Sequence, residues 1–200
     1  MTDRLSPTPG GLHRAADLLR DGAVVAFPTD TVYGVGVAAS RPDRLDALFA
    51  LKRRPLDRRI PMLVIGLDQV AEMGATVDER VHALADRFWP GALTLVLRRG
   101  DETQAFRAPD HPVALALITA AGPLLATSAN ISDQPDTLVA DEVLIAFATQ
   151  QDELAAVVDG GPVPGGVAST VIDLSVTPAS LLRAGPIGPE QVAEVVDLAP

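Results

Sequence analysis

Hydrophobic positions along the chain fall into short dense runs separated by stretches with helical spacing. Leu12, Ala15, Ala16 and Leu19 recur at the spacing of an amphipathic helix over 11–19, and an apolar run at 23–27 reads as a buried strand. Pro42 opens a second helix carrying Leu45, Leu48, Phe49 and Leu51, and Pro55 disfavours helix at Arg54, so it ends about there. Residues 60–65 read as a strand, 77–88 as a helix and 92–97 as a strand, with 104–107 pairing beside the last as an edge strand. Beyond these the pattern predicts helices over 112–121, 141–148 and 189–196. Extended segments are expected at 124–127, 157–158, 170–174 and 181–183. Strands that interleave with helices make an α/β chain, and the close pair at 92–107 argues for a mixed sheet. No repeat, low-complexity tract or linker breaks the chain, so residues 1–200 are read as a single domain.

The pattern changes character most abruptly after Phe27. Pro28, Thr29, Asp30, Thr31, Tyr33, Gly34 and Gly36 follow the strand. Such a segment either exposes backbone N–H groups and hydroxyls to a ligand or caps a hairpin corner. Composition narrows the function classes. Hydrophobic residues make up 48% and aromatics 4% of the chain, so the core rests on Ala, Val, Leu and Ile. The absence of cysteine excludes disulfides and thiolate metal sites and suits a reducing, cytoplasmic setting. No signal-peptide pattern and no apolar stretch of membrane-spanning length is visible. A formal charge of −10 argues against broad nucleic-acid binding, which runs on phosphate neutralisation. Against that background Lys52, Arg53, Arg54, Arg58 and Arg59 form a local cationic cluster, better suited to a small polyanion than to a long one.

Four further places carry chemistry. Lys52 and Arg54, fixed by a helix end and a proline, suit a phosphate better than a plain solvated face, with Arg as a fork and Lys as a point charge. Arg107, at a strand end before Pro109 and Pro112, either binds a carboxylate or pairs with Asp110 at the surface, and His111 reads as a loop residue. Ser128, Asn130 and Ser132 cluster where a buried strand ends, the position at which open α/β sheets keep ligands, although an Asx turn or helix cap uses the same residues. The glycines of 160–166 lack a Walker A ending and are read as a mobile loop that orders over a ligand, followed by Ser169 and Arg183 at strand ends. No G-x-S-x-G elbow accompanies Ser128, and the three histidines lack metal-ligand spacing, so neither a triad nor a metal site is expected.

Taken together, the stretches at 27–36, 52–55, 88–97, 107–112, 128–132, 169–171 and 182–185 resemble the YrdC family, in its short bacterial TsaC-type form. The resemblance spans about 23–185. Asp133 stands where the family usually has glycine, and Arg58 and Arg59 replace a less basic segment. The resemblance implies a twisted mixed sheet with flanking helices and a concave ligand cavity. It also implies synthesis of L-threonylcarbamoyl-AMP and pyrophosphate from L-threonine, bicarbonate (or CO2) and ATP, with Mg2+ accompanying the triphosphate. The product would serve a downstream transferase that modifies adenosine 37 of tRNA, any direct RNA contact of this chain being weak. Carried over position by position, Thr31, Arg107, Ser128 and Ser169 meet threonine. Lys52, Arg54, Thr103, Asn130 and Arg183 meet the nucleotide, with Lys52 and Arg54 on the phosphates as the catalytic pair. Such a reaction needs no protein nucleophile, because the carbamate is already an anion. Hydrogenase maturation proteins with this fold carry Cys-rich zinc motifs that this chain lacks.

Overall fold

The computed structural model describes residues 2–53, 60–150 and 152–199. Local signals set most boundaries. Helix α1 (Pro9–Arg20) follows β1 (Asp3–Leu5), with Thr8 as its cap and proline in its first turn. Strands β2 (Val24–Pro28) and β3 (Tyr33–Ala38) form an antiparallel hairpin, so the glycines of the 27–36 segment lie inside a strand. Gly36 is needed there for close approach, since a Cβ would stand 2.5 Å from the Leu125 carbonyl oxygen of the neighbouring strand. Pro42 opens a 3-10 turn rather than α-helix, and α2 (Leu45–Lys52) follows it. Arg53 caps α2 in the left-handed conformation, φ 50°. Arg54, Pro55, Arg58 and Arg59 lie outside the described residues.

Of the strand expected at 60–65, only β4 (Met62–Leu63) is regular. Next come α3 (Leu67–Glu72), which the apolar pattern was too short to announce, and α4 (Glu79–Phe88), capped by Asp78. Strands β5 (Leu93–Arg99) and β6 (Glu102–Arg107) form the expected hairpin. Then follow α5 (Pro112–Ala121), β7 (Leu124–Ser128), α6 (Ala140–Ala146), β8 (Leu154–Val158), β9 (Thr170–Asp173), β10 (Ser180–Arg183) and α7 (Pro189–Ala193). The ten strands of the described residues join one mixed sheet in the order β1-β8-β2-β3-β7-β4-β6-β5-β9-β10. The edge-strand expectation for 104–107 is therefore corrected. β6 lies between β4 and β5, and its polar residues Thr103 and Arg107 line a cavity rather than a sheet margin.

The two sheet faces have separate cores. Leu48, Leu51, Leu95, Phe106, Leu125 and Ile172 pack on one. On the other, α1 and α5 cover β2, β3 and β8 through Leu19, Val25, Phe27, Leu117 and Ala156. Leu63 and Ala126 belong to that second core and also line the cavity. The cavity thus occupies the same sheet face where the helical layer stops. No helix among the described residues is long and apolar enough to cross a membrane.

His111 turns out to be more than a loop residue. Its Nδ1 accepts the Val113 N–H at 3.2 Å and caps α5. An imidazole can accept there only while that nitrogen is unprotonated. Burial lowers the His111 pKa, against the opposing pull of Asp30 and Asp110. The unfolded chain takes up its proton near about pH 6.5 and the folded chain only below that, so stability falls as pH drops through this window. Urea midpoints measured from pH 7.5 down to pH 5.5 are expected to fall more for the native chain than for His111→Asn, which caps without titrating.

Candidate functional site

Alternation along the strands assembles the cavity floor. Thr94 and Val96 of β5, Thr103, Ala105 and Arg107 of β6, and Val171 and Asp173 of β9 point to one face, as a period of two requires. The cavity holds about 470 Å³ and also takes in the β2–β3 turn and the end of β7.

Arg107 is the most constrained cation of this floor. Only 7% of the residue is exposed. Its Nε donates to the Gly91 carbonyl at 2.9 Å, one terminal nitrogen to Thr31 Oγ1 at 2.9 Å, and the other to Asp30 Oδ1 at 2.6 Å. Its ion-pair partner is therefore Asp30 and not Asp110, which contributes only a backbone N–H to the same carboxylate oxygen at 3.1 Å. Burial lowers the Arg107 pKa, and Asp30 opposes that shift. Thr29 supports the arrangement: its hydroxyl lies 3.1 Å from Thr31 Oγ1 and donates to the Val32 carbonyl.

A second polar group stands on β5, β9 and β10. Ser169 Oγ lies 2.8 Å from Thr94 Oγ1 and accepts from Arg183 at 3.1 Å, while Arg183 Nε donates to the Ser169 carbonyl at 2.9 Å. Burial also lowers the Arg183 pKa. Gly185 lets the segment after β10 come this close, because a Cβ there would stand 2.3 Å from the Thr170 nitrogen.

The third group is the end of β7. Ser128 Oγ donates to Asn130 Oδ1 at 2.7 Å, and Asn130 Nδ2 donates to the Gln134 carbonyl at 2.5 Å. Beneath them lies Lys52, the sole lysine of the chain. It is 2% exposed, and its ammonium donates to the carbonyls of Ser128 and Asn130 and to Asn130 Oδ1. Asp133, where the sequence departs from the family pattern, keeps a left-handed φ of 64°, a conformation that aspartate tolerates better than most residues.

Of the residues nominated from sequence, Thr31, Thr103, Arg107, Ser128, Ser169 and Arg183 line this one cavity. Lys52, at the end of α2, and Asn130, in the loop after β7, bond to each other without lining the cavity, and Arg54 is outside the described residues. Sequence reasoning missed Thr94 and Asp173, which line the cavity. The available signal was alternation: a polar residue at every second position of an otherwise apolar strand marks a face that is not core. It also expected a mobile loop at 160–166, whereas the segment is tied down. Gly166 N–H donates to the Thr31 carbonyl at 2.9 Å, Val163 N–H to the Leu138 carbonyl at 3.0 Å, and the Tyr33 hydroxyl to the Gly161 carbonyl at 2.8 Å. Gly165 makes this seating possible, since a Cβ would fall 1.7 Å from the Thr31 oxygen. Among the described residues no group of three His, Cys, Asp or Glu side chains could hold a metal ion.

Known proteins share this fold and much of its sequence. The chain is 40% identical to the threonylcarbamoyl-AMP synthase of Bacillus subtilis, over 98% of its own length and 59% of that protein. It is 37% identical to the threonylcarbamoyl-AMP synthase of Pyrococcus abyssi, over 91% of its length and 56% of that protein. The crystal structure of Pyrococcus abyssi Sua5 complexed with L-threonine superposes with a TM-score of 0.90 at 34% identity, covering 100% of this chain and 63% of that one. The chain thus spans less than two thirds of these relatives. Residues 17–185 match the Sua5/YciO/YrdC family model, described as "Telomere recombination", and with its fold and cavity on the same residues the chain belongs to the Sua5/YciO/YrdC family.

Proposed function

We propose that the cavity is the active site of an L-threonylcarbamoyl-AMP synthase, a nucleotidyltransferase acting on L-threonine, bicarbonate and Mg-ATP. The observation that carries this reading is the convergence of Arg107 and Arg183, from distant parts of the chain, on one cavity with Thr31, Ser128 and Ser169. A guanidinium held in place by three acceptors is suited to grip a carboxylate, so Arg107, with Thr31, takes the threonine carboxylate. Ser128 and Ser169 orient the rest of the amino acid. Arg183, Thr103 and Asn130 serve the nucleotide.

Threonine's amine condenses with bicarbonate to N-carboxy-threonine with loss of water. A carbamate oxygen then attacks the α-phosphorus of ATP, and pyrophosphate leaves with the electron pair of the broken P–O bond. The chain's task is to align two anions and offset charge on the triphosphate. Lys52 and Arg54 act on the phosphate side. Lys52 does so from its place under the Ser128–Asn130 loop, holding that loop and supplying positive charge behind it. Mg2+ enters as part of the nucleotide substrate, held by phosphate oxygens. The product is consumed by a transferase that modifies adenosine 37 of tRNA, and the reaction belongs in the cytoplasm, where both ATP and tRNA are found.

The test is incubation with L-threonine, bicarbonate and Mg-ATP, with mass detection of the adenylate and omission of each substrate in turn. Threonylcarbamoyl-AMP and pyrophosphate are expected only when all three are present. Pyrophosphate release at an equal rate without threonine or without bicarbonate would overturn the assignment.

A further inference from the structure

Asp30 belongs to none of the groups assigned above to a substrate, yet it is the strongest partner of the residue that matters most. Its side chain is 16% exposed and that of Arg107 9%. Oδ1 is anchored from two sides, by Arg107 at 2.6 Å and by the Asp110 N–H at 3.1 Å. Arg107 has five N–H groups. Among the described residues three of them have acceptors, in Gly91, Thr31 and Asp30. The other two are one on each terminal nitrogen, donors available to a ligand carboxylate.

The pairing also sets the charge of the site. Arg107 and Asp30 cancel as an ion pair, and Arg183 and Asp173 add one charge of each sign to the cavity lining. A lone carboxylate docked on Arg107 therefore adds uncompensated negative charge beside the Asp30 carboxylate, in a partly dry pocket where like charges repel strongly. A ligand that carries an ammonium next to its carboxylate brings its own compensation and places that cation within a few ångströms of Asp30. We propose that Asp30 is a positioning residue that fixes the Arg107 fork and makes the site selective for amino-acid zwitterions over plain carboxylic acids. The inference deepens the proposed function and rests on it.

Calorimetry on the full chain tests this with L-threonine, 3-hydroxybutyrate (the same skeleton without the amino group) and ATP. The native protein is expected to bind threonine at least about tenfold more tightly than 3-hydroxybutyrate. In Asp30→Asn, threonine affinity should fall by about tenfold while 3-hydroxybutyrate holds or gains, so their ratio collapses, and ATP affinity should stay within about twofold. A merely structural role would weaken both acids together and leave the ratio unchanged, and that result overturns the proposal. Asp30→Glu keeps the charge and should preserve the native preference. Loss of the preference in that variant also overturns the proposal, and its measurement stands even if Asp30→Asn does not fold. A native protein that binds ATP but not threonine would instead overturn the functional reading itself.

Discussion

Replacing Arg107 with alanine is expected to weaken L-threonine binding by more than about hundredfold, with ATP affinity changed by less than about fivefold. The magnitude follows from what the guanidinium does in this fold. It is buried, it is held by a backbone carbonyl, a hydroxyl and a carboxylate, and no neighbouring described cation occupies the same position. Removing it deletes the fork and leaves Asp30 without its ion-pair partner, so the vacated site carries negative charge and repels a carboxylate. Arg107→Lys separates the two effects. The ammonium restores charge but cannot reproduce the planar fork, so threonine binding should recover only in part. Titration calorimetry with each ligand decides the matter: if ATP suffers more than threonine in Arg107→Ala, the residue leaves the threonine side of the site.

Lys52→Ala is expected to lose about 10²-fold or more in pyrophosphate release and also to lower stability substantially. From sequence alone a lysine near a helix end reads as a phosphate contact or as part of a solvated face. The structure changes that expectation, because the ammonium is buried and hydrogen-bonded to Ser128 and Asn130. Truncation removes the ammonium from the Ser128 and Asn130 carbonyls, while Asn130 Oδ1 keeps the Ser128 hydroxyl, at about 1–3 kcal/mol for each carbonyl that finds no other donor. For a chain of this size a loss of about 3 kcal/mol lowers the melting temperature by about 6–12 °C. Thermal unfolding beside a pyrophosphate assay reads both effects. An unchanged melting temperature would show that Lys52 does not hold the end of β7, and an unchanged rate would remove it from the phosphate side.

Much of the secondary structure was legible because its signals are local. Pro112 and Gly122 bracket α5, Asp78 caps α4, and the apolar run before Arg98 is long enough to identify β5. The failures have local causes too. In β3 the glycines erased the alternation that would have marked a strand, and a six-residue helix such as α3 is shorter than two turns of periodic pattern. β6 was misplaced at an edge because a row of polar residues looks the same whether it meets bulk water or a cavity. The lining of the candidate site was legible residue by residue, as Thr31, Arg107, Ser128, Ser169 and Arg183 each stood in a stretch resembling the family and line one cavity.

By itself the sequence determined the α/β class, the helix and strand types over most of the chain, the family, and which polar side chains to nominate for a site. These follow from periodicity, capping residues and short motifs, all of which act over a few neighbours. Only the tertiary structure decided that Arg107 pairs with Asp30, that Lys52 lies beneath a loop, that His111 caps a helix, and that Thr94 and Asp173 share the cavity wall. Strand order and register bring together residues separated by dozens of positions, and a hydrogen bond or ion pair depends on distances of a few ångströms that no local pattern encodes.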